Sequence, residues 1–153
     1  MAKKAKPSIQ SAANGAKFYG TFNFPISPAV RAGDFVITSA FPGHMPQHDD
    51  QVYTAEGIPL SSGKFRNAHS FAEETHACFQ RLIEVLALAD CQLSDVVDCQ
   101  VWLKDPRDFA EFNRIYVQYF TDTRPVRSVF HNHFMMDLHI EIKMMAYKPL
   151  DKS

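Results

Sequence analysis

Cysteine is scarce in this chain, with three in 153 residues. Cys78, Cys91 and Cys99 are odd in number and lack metal or redox spacing, so a reduced, cytoplasmic compartment is expected. An excess of either charge is also missing. Sixteen basic residues stand against 17 acidic ones, a net charge of −1, and nothing in that balance asks for nucleic acid or an anionic membrane. Lys3, Lys4 and Lys6 make only a short basic patch, read as a solvated tail. No apolar run reaches membrane-spanning length, and no apolar stretch follows the N-terminal lysines, so neither a membrane span nor a secretory signal is expected. Internal repeats and low-complexity segments are absent too. What remains is ordinary: 46% hydrophobic and 22% charged residues, in a chain long enough for one domain with a sizeable core.

Two C-terminal segments organise the reading. In the last, Ile140, Ile142, Met144 and Ala146 alternate with His139, Glu141, Lys143, Met145 and Tyr147. This is the period of a strand with one face on a core and the other presenting Glu141 and Lys143. The preceding strand carries Arg127 within Arg124-Pro125-Val126-Arg127-Ser128-Val129. Arginine grips carboxylates bidentately and keeps its charge, and glutamate moves protons to and from water. Arg127 and Glu141 are therefore a candidate carboxylate clamp and general base. The plainer alternative is an ordinary polar strand face.

Upstream, residues 1–23 are polar and weakly patterned, an arm with a short strand near Lys17 to Thr21. Phe24 to Val30 is extended, because each proline biases its predecessor away from helix. Arg31 to Asp34 reads as a turn, and Phe35 to Ser39 as a second, β-branched strand that makes a hairpin with the first. Residues 42–64 form a long connection, with Val52-Tyr53-Thr54 and Ile58-Pro59-Leu60 as possible hairpin arms. Asn67 to Ala89 is a helix whose stripe is Phe71, Thr75, Cys78, Phe79, Leu82, Val85, Leu86 and Ala89, with Glu73, Glu74, Gln80, Arg81 and Glu84 largely off it. Val96 to Leu103 is a strand in which Val97, Cys99, Val101 and Leu103 alternate with Asp98, Gln100 and Trp102. Asp105 caps a second helix, with Pro106 in its first turn and Phe109, Phe112, Asn113, Tyr116, Tyr119 and Phe120 on its stripe. Asn113 there is either a satisfied core amide or a site residue.

The order β-β-α-β-α-β-β predicts an α+β fold, one sheet with two helices on one face. The opposite face stays wet unless something covers it, and self-association through that face is the economical answer.

Several pieces together resemble one family, the reactive-intermediate deaminases, also called RidA or YjgF. They are Ala29-Val30-Arg31-Ala32-Gly33-Asp34-Phe35 leading into Thr38-Ser39, then Asp108-Phe109, Asn113, Tyr116 and Phe120, then Pro125-Val126-Arg127-Ser128, and finally Ile140-Glu141-Ile142. The resemblance runs from about Phe24 to Pro149, leaving residues 1–23 as an N-terminal arm and 24–153 as the domain. It implies a chorismate-mutase-like homotrimer with clefts between subunits, and hydrolysis of enamine or imine acids to keto acids and ammonia without metal or organic cofactor. By the same resemblance Arg127 grips the substrate carboxylate and Glu141 stands beside the attacking water. Ser39 and Asn113 match cleft-lining positions. Ile26 stands where many members have tyrosine, Ala40 where glycine is usual and Val129 where many have cysteine. These departures keep the reaction class and put the common substrate, 2-aminoacrylate, in doubt. The ending Ile140 to Pro149 with Arg31-Ala32-Gly33-Asp34-Phe35 also looks like the 2-aminomuconate deaminase branch, for which Lys143 and the 42–64 loop are candidates to meet a second carboxylate.

Other readings stay open beside this one. His131 with His133, and His44 with His48, are too few per cluster for a metal site without a further ligand. Cys78 and Cys99 fall on core-facing positions, where a thiol is inert packing. A non-catalytic trimer that binds small carboxylates is the third, since fold does not fix function.

Overall fold

The structure, a computed structural model, describes residues 8–21, 25–43, 69–135 and 137–150. The expected 52–60 hairpin, His44, His48 and the lysine patch lie outside them. Among the described residues the strands build one eight-stranded sheet with two α-helices against one face.

The sheet opens with β1 (Ile9–Ser11) and β2 (Lys17–Tyr19), an antiparallel pair that hydrogen-bonds onto β3 (Ala29–Ala32). The weak patterning of the first 23 residues announced a strand near β2 but not β1. β3 and β4 (Phe35–Thr38) are the expected hairpin, closed by Gly33-Asp34 with Ala32 opposite Phe35. Gly33 sits at φ 59°, a left-handed conformation that glycine adopts without a Cβ clash. The turn is thus shorter than Arg31 to Asp34. Arg31 lies inside β3 and is 5% exposed, its guanidinium donating to the carbonyls of Lys148 and Ala89, both at 2.9 Å.

After the two-residue β5 (Phe41–Pro42) comes helix α1 (Phe71–Ala87). It starts at Phe71 because Ser70 caps it reciprocally: the hydroxyl accepts from the Glu73 N–H at 3.2 Å, and the Glu73 carboxylate accepts from the Ser70 N–H at 2.7 Å. Glu74 departs from expectation. It lies three residues after Phe71 and four before Cys78, on the buried stripe, and its side chain is wholly buried.

Strand β6 (Val96–Leu103) has the expected bounds, but a bulge between Val96 and Asp98 shifts its register. Val96 is therefore buried and Val97 37% exposed, the reverse of a simple alternation. Asp105 accepts from the Arg107 N–H and caps a single 3₁₀ turn, Pro106–Asp108, from which α2 (Phe109–Tyr119) continues.

β7 (Val126–His131) and β8 (Ile140–Tyr147) complete the sheet. The helical crossover through α2 makes β7 parallel to β6. β8 returns antiparallel along the other side of β6 and also pairs with β4 and β5. The strand order is β1-β2-β3-β4-β8-β6-β7, with β5 beside β8. The core lies between sheet and helices, built on Phe41, Phe79, Leu82, Phe112, Ile142 and Met144.

No helix among the described residues is long and apolar enough to cross a membrane. The opposite sheet face carries apolar groups with no helix over them. Trp102 stacks on Phe130 at 5.9 Å and Phe35 meets Tyr147 at 5.2 Å, while Val126 is 70% exposed.

Candidate functional site

Register decides where the two principal residues point. Arg127 pairs with Cys99, and Cys99 with Met144, so these three face the helices. Glu141 pairs with Trp102, and Trp102 with Phe130, on the open face. Within one chain, then, Arg127 and Glu141 occupy opposite faces with β6 between their strands. The registers also stagger them by three positions, about 10 Å along the strands. A single chain does not bring the candidate clamp and the candidate base together.

Arg127 sits on edge strand β7 beneath α2. The helical spacing of Phe109, Phe112 and Tyr116 turns three rings toward it, with guanidinium-to-centroid distances of 5.9, 5.4 and 4.6 Å. A guanidinium lying over aromatic faces keeps its N–H edge for an acid. Among the described residues no carboxylate forms an ion pair with it. It lines a cavity of about 560 Å³ together with Leu103, Pro106, Phe109, Val129, Phe130 and His131. Asn113, half-buried, lies on the same stretch of α2.

Glu141 belongs to a different neighbourhood. It pairs with Pro42 of β5, whose neighbour Ala40 ends the loop after β4. Ser39 donates through its hydroxyl to the Ser27 carbonyl at 2.7 Å and through its N–H to the Pro28 carbonyl at 2.9 Å. These bonds hold the segment of Ile26 beside it, with Ile26 39% exposed. Burial alone raises the pKa of Glu141 above its ordinary 4.5, which suits a base that works nearer neutrality. Lys143, two residues on, shares the open face.

The sequence-predicted residues thus separate into two half-sites. Arg127, Val129 and Asn113 lie at the β7–α2 edge; Ile26, Ser39, Ala40 and Glu141 lie around β5 and β8. Sequence reasoning missed that the rings of α2 form a bed for Arg127, because a core stripe and an aromatic platform share one spacing. It also missed Glu74, although the steps from Phe71 to Glu74 to Cys78 were there to be counted.

The cysteines sit where thiols are hard to ionise. Burial pushes Cys99 up to about 12, and Cys78 is raised well above its ordinary range by burial, then by Glu74 and Glu141. Among the described residues no group of three or more His, Cys, Asp or Glu could hold a metal ion. His131 and His133 lie with their ring centres 5.8 Å apart.

Comparison with known proteins adds to this geometry. The profile of the family described as Endoribonuclease L-PSP matches residues 24–148. A RutC family protein of Pyrococcus horikoshii is 30% identical over 125 residues, which cover 81% of this chain and 87% of the relative. The human 2-iminobutanoate/2-iminopropanoate deaminase is 35% identical over 74 residues, 48% of this chain and 53% of the relative. Among solved structures, E. coli TdcF with bound serine superposes with a TM-score of 0.64 at 23% identity, covering 81% of this chain and 88% of that one.

Proposed function

The chain belongs to the endoribonuclease L-PSP family, the RidA/YjgF group, and on that premise we propose that it hydrolyses enamine or imine carboxylic acids to keto acids and ammonia, at clefts between the subunits of a homotrimer. One observation carries the reading: Arg127 and Glu141 face opposite ways in one chain. Each half-site becomes useful when the Arg127 edge of one chain meets the open face of the next. The uncovered apolar groups of that face are the surface such a contact would bury.

The chemistry needs little more. Arg127 takes the substrate carboxylate through its fork and leaves the C=N carbon at the cleft. Glu141 accepts a proton from a water as its oxygen bonds to that carbon and the C=N π pair moves to nitrogen; Glu141 then passes the same proton to that nitrogen and is ionised again. The resulting carbinolamine passes its hydroxyl proton to nitrogen, the C–N bond breaks, and ammonia leaves with the keto acid. An enamine first moves a proton from nitrogen to its β-carbon and then follows the same path. No step calls on a metal or organic cofactor. The activity in the family's name, endoribonuclease, finds less support: the cavity is lined by one arginine among mainly apolar groups, whereas RNA-backbone binding draws on several cations.

A carboxylate-binding trimer without turnover is the second reading, favoured by the fact that Arg127 and its cavity are complete in one chain. Subunit mixing separates the two. Arg127→Ala and Glu141→Gln chains are each expected to be inactive as homotrimers. Refolded together in equal amounts, about one cleft in four would receive an intact arginine from one chain and an intact glutamate from its neighbour. Ammonia release near that fraction of wild type is the expected result. No recovery from a properly mixed trimer would rule out a site shared between subunits. Tight keto acid binding by a wild-type protein that releases no ammonia would favour the binding trimer.

A further inference from the structure

We propose that the acid held by Arg127 carries a bulky branched or aromatic hydrocarbon side chain and a single carboxylate, so that the substrate class is 2-imino acids of this kind rather than three- or four-carbon ones. The proposal rests on the deaminase reading above for its reaction and on the cavity for its size and polarity.

In one chain the cavity around Arg127 is open to solvent and measures about 560 Å³. That is inside the ~300–1,000 Å³ range of pockets that accept drug-sized molecules, and a three-carbon acid fills only a small part of it. Its walls are Leu103, Pro106, Phe109, Val129 and Phe130, with His131 at the margin and Arg127 the one guanidinium. In one chain Phe109 is 44% exposed and Phe130 48%, so the part of each ring that a neighbouring chain leaves uncovered is surface to offer an occupant. They come from different sides of the edge strand. Phe109 lies beside Arg127 on the helix side, and Phe130 stacks with Trp102 on the face that carries Glu141.

Polarity argues the same way. Val129 adds two methyl groups to the lining where a thiol would have offered a polar atom. Around β5 and β8, where Glu141 pairs with Pro42, the chain also carries Ile26 and Ala40 rather than polar side chains. An apolar lining gains little from a small polar acid and discriminates by hydrocarbon surface removed from water. A second carboxylate would need a second cation; the lining of the Arg127 cavity provides Arg127 and a marginal histidine, and Lys143, two residues from Glu141 on the open face, lies outside that lining.

The test has a binding arm and a turnover arm. Phenylpyruvate, pyruvate and 2-oxoglutarate, stable keto acid products of the three imine classes, are titrated calorimetrically into the wild-type protein. Phenylpyruvate is expected to bind at least about tenfold more tightly than either of the others. Phe130→Ala and Phe109→Ala should each erase most of the advantage of phenylpyruvate over pyruvate, and two exposed positions guard against one variant failing to fold. Equal or tighter binding of pyruvate or 2-oxoglutarate overturns the proposal, as does an advantage for phenylpyruvate that survives both variants. In the second arm the imines are generated in situ from phenylalanine, leucine, alanine and glutamate by an amino-acid oxidase, and ammonia release above background is compared as kcat/KM. Phenylalanine- and leucine-derived imines should lead. A selective phenylpyruvate site with no turnover of any imine would uphold the size and polarity of the acid and sink the deaminase reading instead.

Discussion

The carboxylate of Glu74 accepts a hydrogen bond from the backbone N–H of His139 at 2.7 Å, and its Oε2 lies 3.1 Å from His139 Nδ1. Glu74 is buried in α1; His139 immediately precedes β8, the strand that carries Glu141. One helix side chain therefore fixes where the catalytic candidate's strand begins. Its other oxygen, Oε1, is buried without a hydrogen-bond partner among the described residues. Such an arrangement holds the carboxylate in a costly environment.

That cost has a sign. Burial raises the pKa of Glu74 above 4.5, outweighing the His139 bonds that lower it. The folded chain then binds the proton more tightly than the unfolded one. The stability this contributes is complete below pH 4.5 and is lost as pH rises through the raised value. Glu74→Gln retains an acceptor for His139 and cannot ionise. Urea unfolding of both proteins at one concentration, from pH 4 to about pH 7, should show the variant gaining on wild type as pH rises. Parallel curves would mean that Glu74 does not titrate differently in the folded chain.

Arg127→Lys keeps the charge and loses both the planar fork and its stacking on Tyr116. Losing one of two charge-assisted hydrogen bonds costs about 1.5–3 kcal/mol, a roughly 10- to 150-fold rise in the Kd of a keto acid. Calorimetry on the folded variant measures it. A Kd within about twofold of wild type would reduce Arg127 to a point charge and remove the reason for its aromatic bed.

As the proposed base Glu141 works only when ionised, and burial moves its pKa above 4.5. The acid limb of kcat/KM should therefore fall as pH drops through a value above 4.5, with activity full on the alkaline side. In Glu141→Gln that limb should vanish and turnover should fall roughly 10²–10⁴-fold. A variant that turns over substrate at the wild-type rate would show that the water is handled by other groups.

Much of this molecule was decided locally. The alternation of Ile140, Ile142, Met144 and Ala146 with polar neighbours makes a half-buried strand wherever it is placed. Asp105 before Pro106 begins a helical turn, and the order of elements selects one sheet with helices on one side. The residue types at Arg127 and Glu141 were enough to make them a candidate acid clamp and base, whereas Ser39 and Asn113 entered through the family resemblance. Neighbour order was not local. The α2 crossover sets β7 parallel to β6, and β8 then takes the other side of β6. Only those long-range pairings send Arg127 and Glu141 to opposite faces. A one-residue slip reverses every side chain on a strand, as the bulge that exposes Val97 shows in miniature. The two residues of the proposed chemistry were legible in the chain; that they face apart, so that a shared site asks for two chains, was settled by tertiary register alone.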